Sequence, residues 1–188
     1  MTEPLPSLVA LLREDLRYNR AKVSSAGFHA VAVHRLAARL DAVPGPLRPL
    51  AALVVAGARL LVVNVYGIEI PPTARLGRRV VIGRGGIVVH PAAEIGDDCN
   101  IRHNVTLAGS SDDAKGPRIG RGVELGTGVV VVGGVTVGDG ARVGPNVVIT
   151  TDIPAGAFAV VEPPRVIRPP APPATGDAPP LTDRVHGS

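Results

Sequence analysis

From residue 70 onward a large aliphatic side chain returns every six positions. The series runs Ile70, Leu76 and Ile82, takes a seven-residue step to Val89, and continues through Ile95, Ile101 and Leu107. After a break it resumes in phase at Ile119, Leu125, Val131, Val137, Val143 and Ile149. A second series follows the first at a distance of four: Ala74, Val80, Ala93, Cys99, Val105, Val123, Val129, Val135, Ala141, Val147 and Ile153. Gly follows the aliphatic residue at 77, 83, 96, 120, 126, 138 and 144. A helix repeats every 3.6 residues and a two-faced strand every second residue, so neither produces this beat. A coil with three flat sides, one hexad to a side, does: large aliphatics stack inside, small residues fill the corners, and Gly serves the turns. The pattern predicts a mainly β chain whose principal domain, residues 68–168, is a parallel β-helix.

Residues 1–67 read differently. Leu5, Leu8, Leu11, Leu12 and Leu16 have helical spacing, with Ser7 placed to cap the first turn. A second helix is expected from Gly27 to Leu40, stopped by Pro44, Pro46 and Pro49. The run from Leu50 to Val65 is the most apolar of the chain. Arg48 and Arg59 bracket only about ten apolar residues of it, short of the roughly twenty that a spanning helix needs. Burial against another helix or subunit is therefore expected, and no membrane. Residues 169–188, rich in Pro, Ala, Gly and Asp, are expected to be a disordered tail.

The break in the hexads, Ala108 to Arg118, keeps the phase, because Leu107 and Ile119 are two hexads apart. Threading it through the coil would place Asp113 at an inward site, where an unpaired carboxylate is costly. The segment is expected to leave the coil as a loop, the kind of element on which rigid scaffolds build sites.

Composition narrows the picture. With two Tyr, two Phe and no Trp, the core must be aliphatic, which suits a narrow solenoid. A single cysteine gives no intrachain disulfide and fits a reducing cytoplasm. The opening Met-Thr-Glu-Pro lacks a basic region followed by an apolar run, so no secretory signal is expected. The net charge of +4 comes mostly from scattered arginines without an aromatic stacking platform, which argues against a nucleic-acid partner.

Four segments resemble the serine O-acetyltransferase branch of the hexapeptide-repeat acyltransferases. They are the Gly27-Phe28-His29 segment, the Ile70-Pro71-Pro72-Thr73-Ala74-Arg75-Leu76-Gly77 entry, the stretch from Gly85 to Gly109, and the run from Pro117 to the Glu162-Pro163-Pro164-Arg165 element. The resemblance implies a left-handed β-helix with an N-terminal α-helical cap, and a homotrimer or dimer of trimers, the helix at 50–65 supporting trimer–trimer contact. It also implies acetyl-CoA or another acyl-CoA as co-substrate, a small hydroxyl acceptor with L-serine leading, a step in cysteine biosynthesis, and no metal. Two family imidazoles are missing, since their positions are Gly83 and Gly116 here. That departure keeps two other readings open: another hydroxyl or amine acceptor on the same scaffold, or a catalytically silent homologue. The family docks a sulfhydrylase through a C-terminal Ile; with His186-Gly187-Ser188 at this end, that partner is not expected.

Acyl transfer to a hydroxyl needs a base, donors for the developing oxyanion and an oriented thioester. His103 and His90 are the candidate bases, each weighed against a role in an interface or turn. Asp113, with Asp112, is the non-His candidate, weighed against ordinary solvated loop charge. His29 and His34 are expected to be packing residues on the second helix, and His186 belongs to the tail. Cys99 falls in the inward series, so a buried, inert thiol is expected rather than an acyl-enzyme nucleophile. By the resemblance, Ala108, Gly109, Gly126, Thr127, Gly144 and Pro145 line the pantetheine groove, and Thr150, Thr151 and Arg165 meet the nucleotide end.

Overall fold

The computed structural model describes residues 7–19, 24–110 and 115–162. From Ile68 the chain winds as a left-handed parallel β-helix with three faces. The first face stacks Ile68–Glu69, Ile87–Val89, Thr106–Ala108, Val130–Val132 and Val148–Ile149. Arg75–Leu76, Glu94–Ile95, Arg118–Ile119 and Thr136–Val137 make the second face. Val81–Ile82, Asn100–Ile101, Glu124–Leu125, Arg142–Val143 and Phe158–Ala159 make the third.

The register carries the sequence pattern over into space. Val130 pairs with Val148, so a regular coil is three hexads long. Val81 pairs with Asn100, one position beyond three hexads, because that coil contains the longer step between Ile82 and Val89. Thr106 pairs with Val130, four hexads on, because the segment from Ala108 to Arg118 adds one hexad at a corner. The coil above the break thus resumes without a slip, while residues 111–114 of the expected loop lie outside the described residues.

All thirteen large aliphatics of the first series face inward, Leu76 being half-buried. In the second series only Val135 and Ile153 are less than fully buried. The series missed Ile87, a fully buried corner residue, because the longer step moves that corner from position 86 to 87. Two edges of the prism turn through left-handed backbone. On one of them Gly86, Asn104, Gly128 and Asn146 alternate at φ 66°, 58°, 73° and 57°. The two Asn side chains lie over the glycines below: a Cβ on Gly86 would come 2.1 Å from Asn104 Oδ1.

Three helices precede the coil: α1 (Leu8–Tyr18), α2 (Ala26–Ala37) and α3 (Arg48–Tyr66). Ser7 caps α1, its hydroxyl accepting the Ala10 N–H at 3.3 Å. The second helix ends at Ala37, short of the expected Leu40, where the chain tightens into a 3₁₀ turn, Leu40–Ala42. Together α1 and α2 close the lower end of the prism by pairing with its edge strands. Asn19 donates to the Val80 carbonyl at 3.1 Å and accepts the Ile82 N–H at 3.3 Å, as a neighbouring strand would. Arg35 donates to the Leu76 carbonyl at 2.6 Å and also to the Gly77 carbonyl. Its Nε lies 3.2 Å from fully buried Asp15, whose carboxyl burial pushes up against the pull of Arg35. Gly27 rests on the Ile82 carbonyl, where a Cβ would lie 2.0 Å from the oxygen.

The third helix corrects one sequence expectation, its length. It runs 19 residues, well beyond the apolar length counted between the arginines, and with its preceding turn is long and apolar enough to cross a membrane. Most of it is not buried in the chain: Leu50, Leu53, Val54, Leu60, Leu61 and Val65 are 56–70% exposed, and Val62 alone is buried. Apolar periodicity marks a face to be covered without saying which molecule covers it.

Candidate functional site

The edge joining the first and second faces carries His90 at its lower turn and Gly109, where the hexads break, one coil above. The ring of His90 is held at one end by a backbone hydrogen bond. Its Nδ1 accepts the Ala92 N–H at 3.2 Å, so the neutral ring carries its proton on Nε2. That nitrogen lies against Gly109, where an added Cβ would stand 2.6 Å away. Only a residue without a side chain leaves room for the imidazole there. Ala108 ends the strand beside it, and Thr150 is exposed higher on the same edge.

The edge joining the third and first faces carries His103, exposed at the turn before Asn104. Among the described residues its ring has no hydrogen-bond partner, which leaves both nitrogens open to solvent and substrate. Its backbone carbonyl accepts the Gly128 N–H at 3.2 Å from the coil above. Gly126, Thr127, Gly144 and Pro145 line the same edge above it. Gly126 is required by close approach: a Cβ there would come 2.7 Å from the Gly144 carbonyl carbon.

The two missing imidazoles have a steric reason. A Cβ at Gly83 would lie 2.4 Å from the His103 amide nitrogen, and one at Gly116 would lie 2.5 Å from the Ala93 nitrogen. Each glycine thus stacks on the turn of an adjacent coil, and each of those turns bears a histidine: Arg102–His103 above Gly83, His90–Ala93 below Gly116. On both edges a histidine stands one coil away from the glycine.

Within one chain the candidates form two groups, not one. His103, Gly126, Thr127, Gly144 and Pro145 share one edge, while His90, Ala108, Gly109 and Thr150 share another, across the width of the first face. Asp112, Asp113 and Arg165 lie outside the described residues. Thr151 is exposed. Of the remaining histidines, two are structural: His29 Nδ1 is 3.1 Å from the Tyr66 hydroxyl, and His34 is buried between α2, α3 and the first coil. Burial, with Arg35 and Arg59 nearby, pushes His34 down to about 4. His186 and the expected tail lie outside the described residues. Cys99 is buried and donates to the Gly120 carbonyl at 3.0 Å; burial pushes its thiol up to about 11, so it is an inert core residue.

The sequence reading missed the outward column on the second face, where Arg75 and Arg118 flank Glu94 at 3.1 and 3.8 Å over an open groove. Its signal was the charged residue preceding the inward aliphatic in three successive coils. Neither His90 nor His103 lines that groove.

The pattern described as "Bacterial transferase hexapeptide (six repeats)" matches residues 116–151. "Serine acetyltransferase 2" of Arabidopsis thaliana is 32% identical over 156 residues, covering 81% of this chain and 46% of that protein. The "Putative colanic acid biosynthesis acetyltransferase WcaB" of Escherichia coli (strain K12) is 40% identical over 110 residues, covering 57% of this chain and 68% of that one. Among solved structures, the soybean serine acetyltransferase complexed with serine superposes with a TM-score of 0.70 at 31% identity, covering 86% of this chain and 70% of that chain. The chain spans about half the length of the curated relatives it first matches.

Proposed function

The chain belongs to the serine acetyltransferase family of hexapeptide-repeat transferases, and from that premise we propose that it moves an acetyl group from acetyl-CoA to a small hydroxyl acceptor, L-serine first among them. His103, with an unengaged ring, is the base that takes the hydroxyl proton. The acceptor oxygen then attacks the thioester carbonyl, a C–O bond forms, and the negative charge gathers on the carbonyl oxygen. His90 supplies the Nε2–H donor for that oxyanion, a role its tautomer suits and that of a base does not. Collapse breaks the C–S bond, and the proton on His103 passes to the departing sulfur.

Because these residues stand on different edges of one chain, the reading requires two subunits. His103 of one copy meets His90 and the loop of the next in a closed homotrimer. Gly126, Thr127, Gly144 and Pro145 then border the pantetheine groove above the base, with Thr150, Thr151 and Arg165 toward the nucleotide. A reducing cytoplasm suits the single thiol. The observation that carries the reading is the pair of stacked turns: each glycine at a family imidazole position lies against a coil whose turn holds a histidine.

A second acceptor reading has its own support. The 40% identity to WcaB, over 68% of that protein, favours a sugar hydroxyl as acceptor on the same machinery. Thiol release from acetyl-CoA separates the readings. Release with serine supports the first and release only with sugar acceptors supports the second, whereas coenzyme A binding without turnover on any hydroxyl or amine marks a silent homologue.

A further inference from the structure

On the β-helix, nearly every described arginine is answered by a carboxylate. Arg75 and Arg118 share Glu94, Arg78 and Arg79 share Glu14, Arg121 lies near Asp97, and Arg142 near Glu124, all within 4.0 Å. Arg84 and Arg102 are the exceptions. Both are exposed, and neither guanidinium has an ion pair or a hydrogen-bond partner among the described residues. Both stand on the edge that carries His103. Two uncompensated cations on one edge, in a coil that pairs its other arginines, mark a place that attracts an anion.

Coil register brings the two together. Ile82 pairs with Ile101, Gly83 lies against the Arg102–His103 peptide, and the Gly85 carbonyl accepts the Asn104 N–H at 2.9 Å. Arg84, between those two glycines, therefore falls directly below His103, lower by one strand spacing of about 4.8 Å. Arg102 precedes His103 on the upper turn. The lower turn reads Gly83-Arg84-Gly85-Gly86, so Arg84 supplies its single side chain. Gly126, Thr127, Gly144 and Pro145, the residues bordering the carrier groove, lie above His103. The two arginines stand at and below it, on the side left to the acceptor.

We propose that Arg84 and Arg102 form an anion site for the acceptor, holding a carboxylate or phosphate of the hydroxyl compound while its hydroxyl meets His103. This rests on the acetyltransfer reading and deepens it, because the acceptor is then selected by charge. A guanidinium presents a fork of N–H donors that matches either group, and two forks on adjacent turns fix a small acceptor by one end. L-Serine satisfies the site through its carboxylate, and an acidic or phosphorylated sugar does so as well. A neutral sugar does not.

Matched acceptors test this on the full-length chain: L-serine against L-serinamide, and glucose 6-phosphate against glucose, each followed by thiol release from acetyl-CoA. The anionic member of the productive pair is expected to have the higher kcat/KM by about 10–10²-fold, the range of one or two charge-assisted bonds. Which pair is productive tells a carboxylate from a phosphate. Arg84→Gln/Arg102→Gln should erase the preference through the acceptor KM, and Arg102→Lys should keep part of it. Arg142→Gln, on another face, should behave as wild type. Calorimetry with coenzyme A present separates the site from the reading beneath it. Binding heat for L-serine or inorganic phosphate that the double variant loses, in a chain that turns over no acceptor, keeps the anion site and removes acetyltransfer. Turnover at least as fast on the neutral members, or a preference unchanged in the double variant, overturns the site and leaves acetyltransfer standing. Absence of heat with both anions overturns the site too. So does a double variant of lower mass by light scattering, since the arginines would then be pairing with a neighbouring copy.

Discussion

Gly83 lies directly under His103: a single methyl group at position 83 would stand 2.4 Å from the His103 amide nitrogen. The histidine and the glycine are therefore alternatives on one edge, and placing a side chain on the lower turn forces the upper one to move. Gly83→Ala is expected to cost about 1–3 kcal/mol by overpacking, read as a lowered denaturant midpoint. Gly83→His is expected to lose acetyltransfer rather than gain it. A Gly83→His variant with native stability and raised turnover would refute the displaced arrangement.

His103 and His90 should fail in different ways. His103→Ala is expected to lower kcat by about 10²-fold or more, the range of a lost general base. Removing the donor through His90→Ala is expected to lower kcat by about 10²–10³-fold. His90→Gln, which keeps an N–H at that reach, should recover part of the loss. His103→Gln should not. Equal rescue by Gln at both positions would contradict the division of roles.

Leu125 is 1% exposed at the centre of the coil, stacked between Ile101 below and Val143 above. Leu125→Asp buries a carboxylate with no partner, a change costing several kcal/mol. The expected outcome is loss of the cooperative thermal transition, checked by circular dichroism. An unchanged melting curve would mean that this side chain does not face inward.

The helical lid should loosen in acid. His34, held down to about 4 in the folded chain against about 6.5 unfolded, is neutral when folded, so the unfolded chain binds the extra proton between those values. Stability then falls as pH drops from about 6.5 toward 4, by up to about 3 kcal/mol. Asp15, pushed up by burial, has the opposite slope just above its ordinary carboxyl range. The difference between wild type and His34→Gln isolates the histidine: urea midpoints measured from pH 7 to 4 should converge as pH falls. Parallel curves would exclude it.

The coil was legible because each inward aliphatic sits six residues from the last, and the structure keeps that count from Ile70 to Ile149 except at the seven-residue step to Val89 and the two-hexad step from Leu107 to Ile119. Ile87 escaped because one extra residue shifts its corner. The lid's attachment escaped as well: Asn19 and Arg35 bond to strand edges far along the chain, at Val80 and Leu76, and such pairs leave no periodic mark. Among the candidate residues, His90 and His103 were singled out by residue type and neighbourhood. The contact between His90 and Gly109 depends on coil register, which appears only once the strands are seen paired. That α3 is left largely uncovered was illegible for a different reason, since an apolar stripe looks the same whether its partner is intramolecular or another copy.

Thr106, Val130 and Val148 stack in one column, and the last two, beyond the break, are separated by three hexads alone. Each turn there is an interchangeable storey. Duplicating residues 119–136 inserts one more floor, raising Arg142 and all that follows by a single strand spacing of about 4.8 Å while His90, His103 and the lid stay where they are. The height of the prism above the two imidazoles is thus set by an integer, and its edges lengthen by counting rather than by redesign.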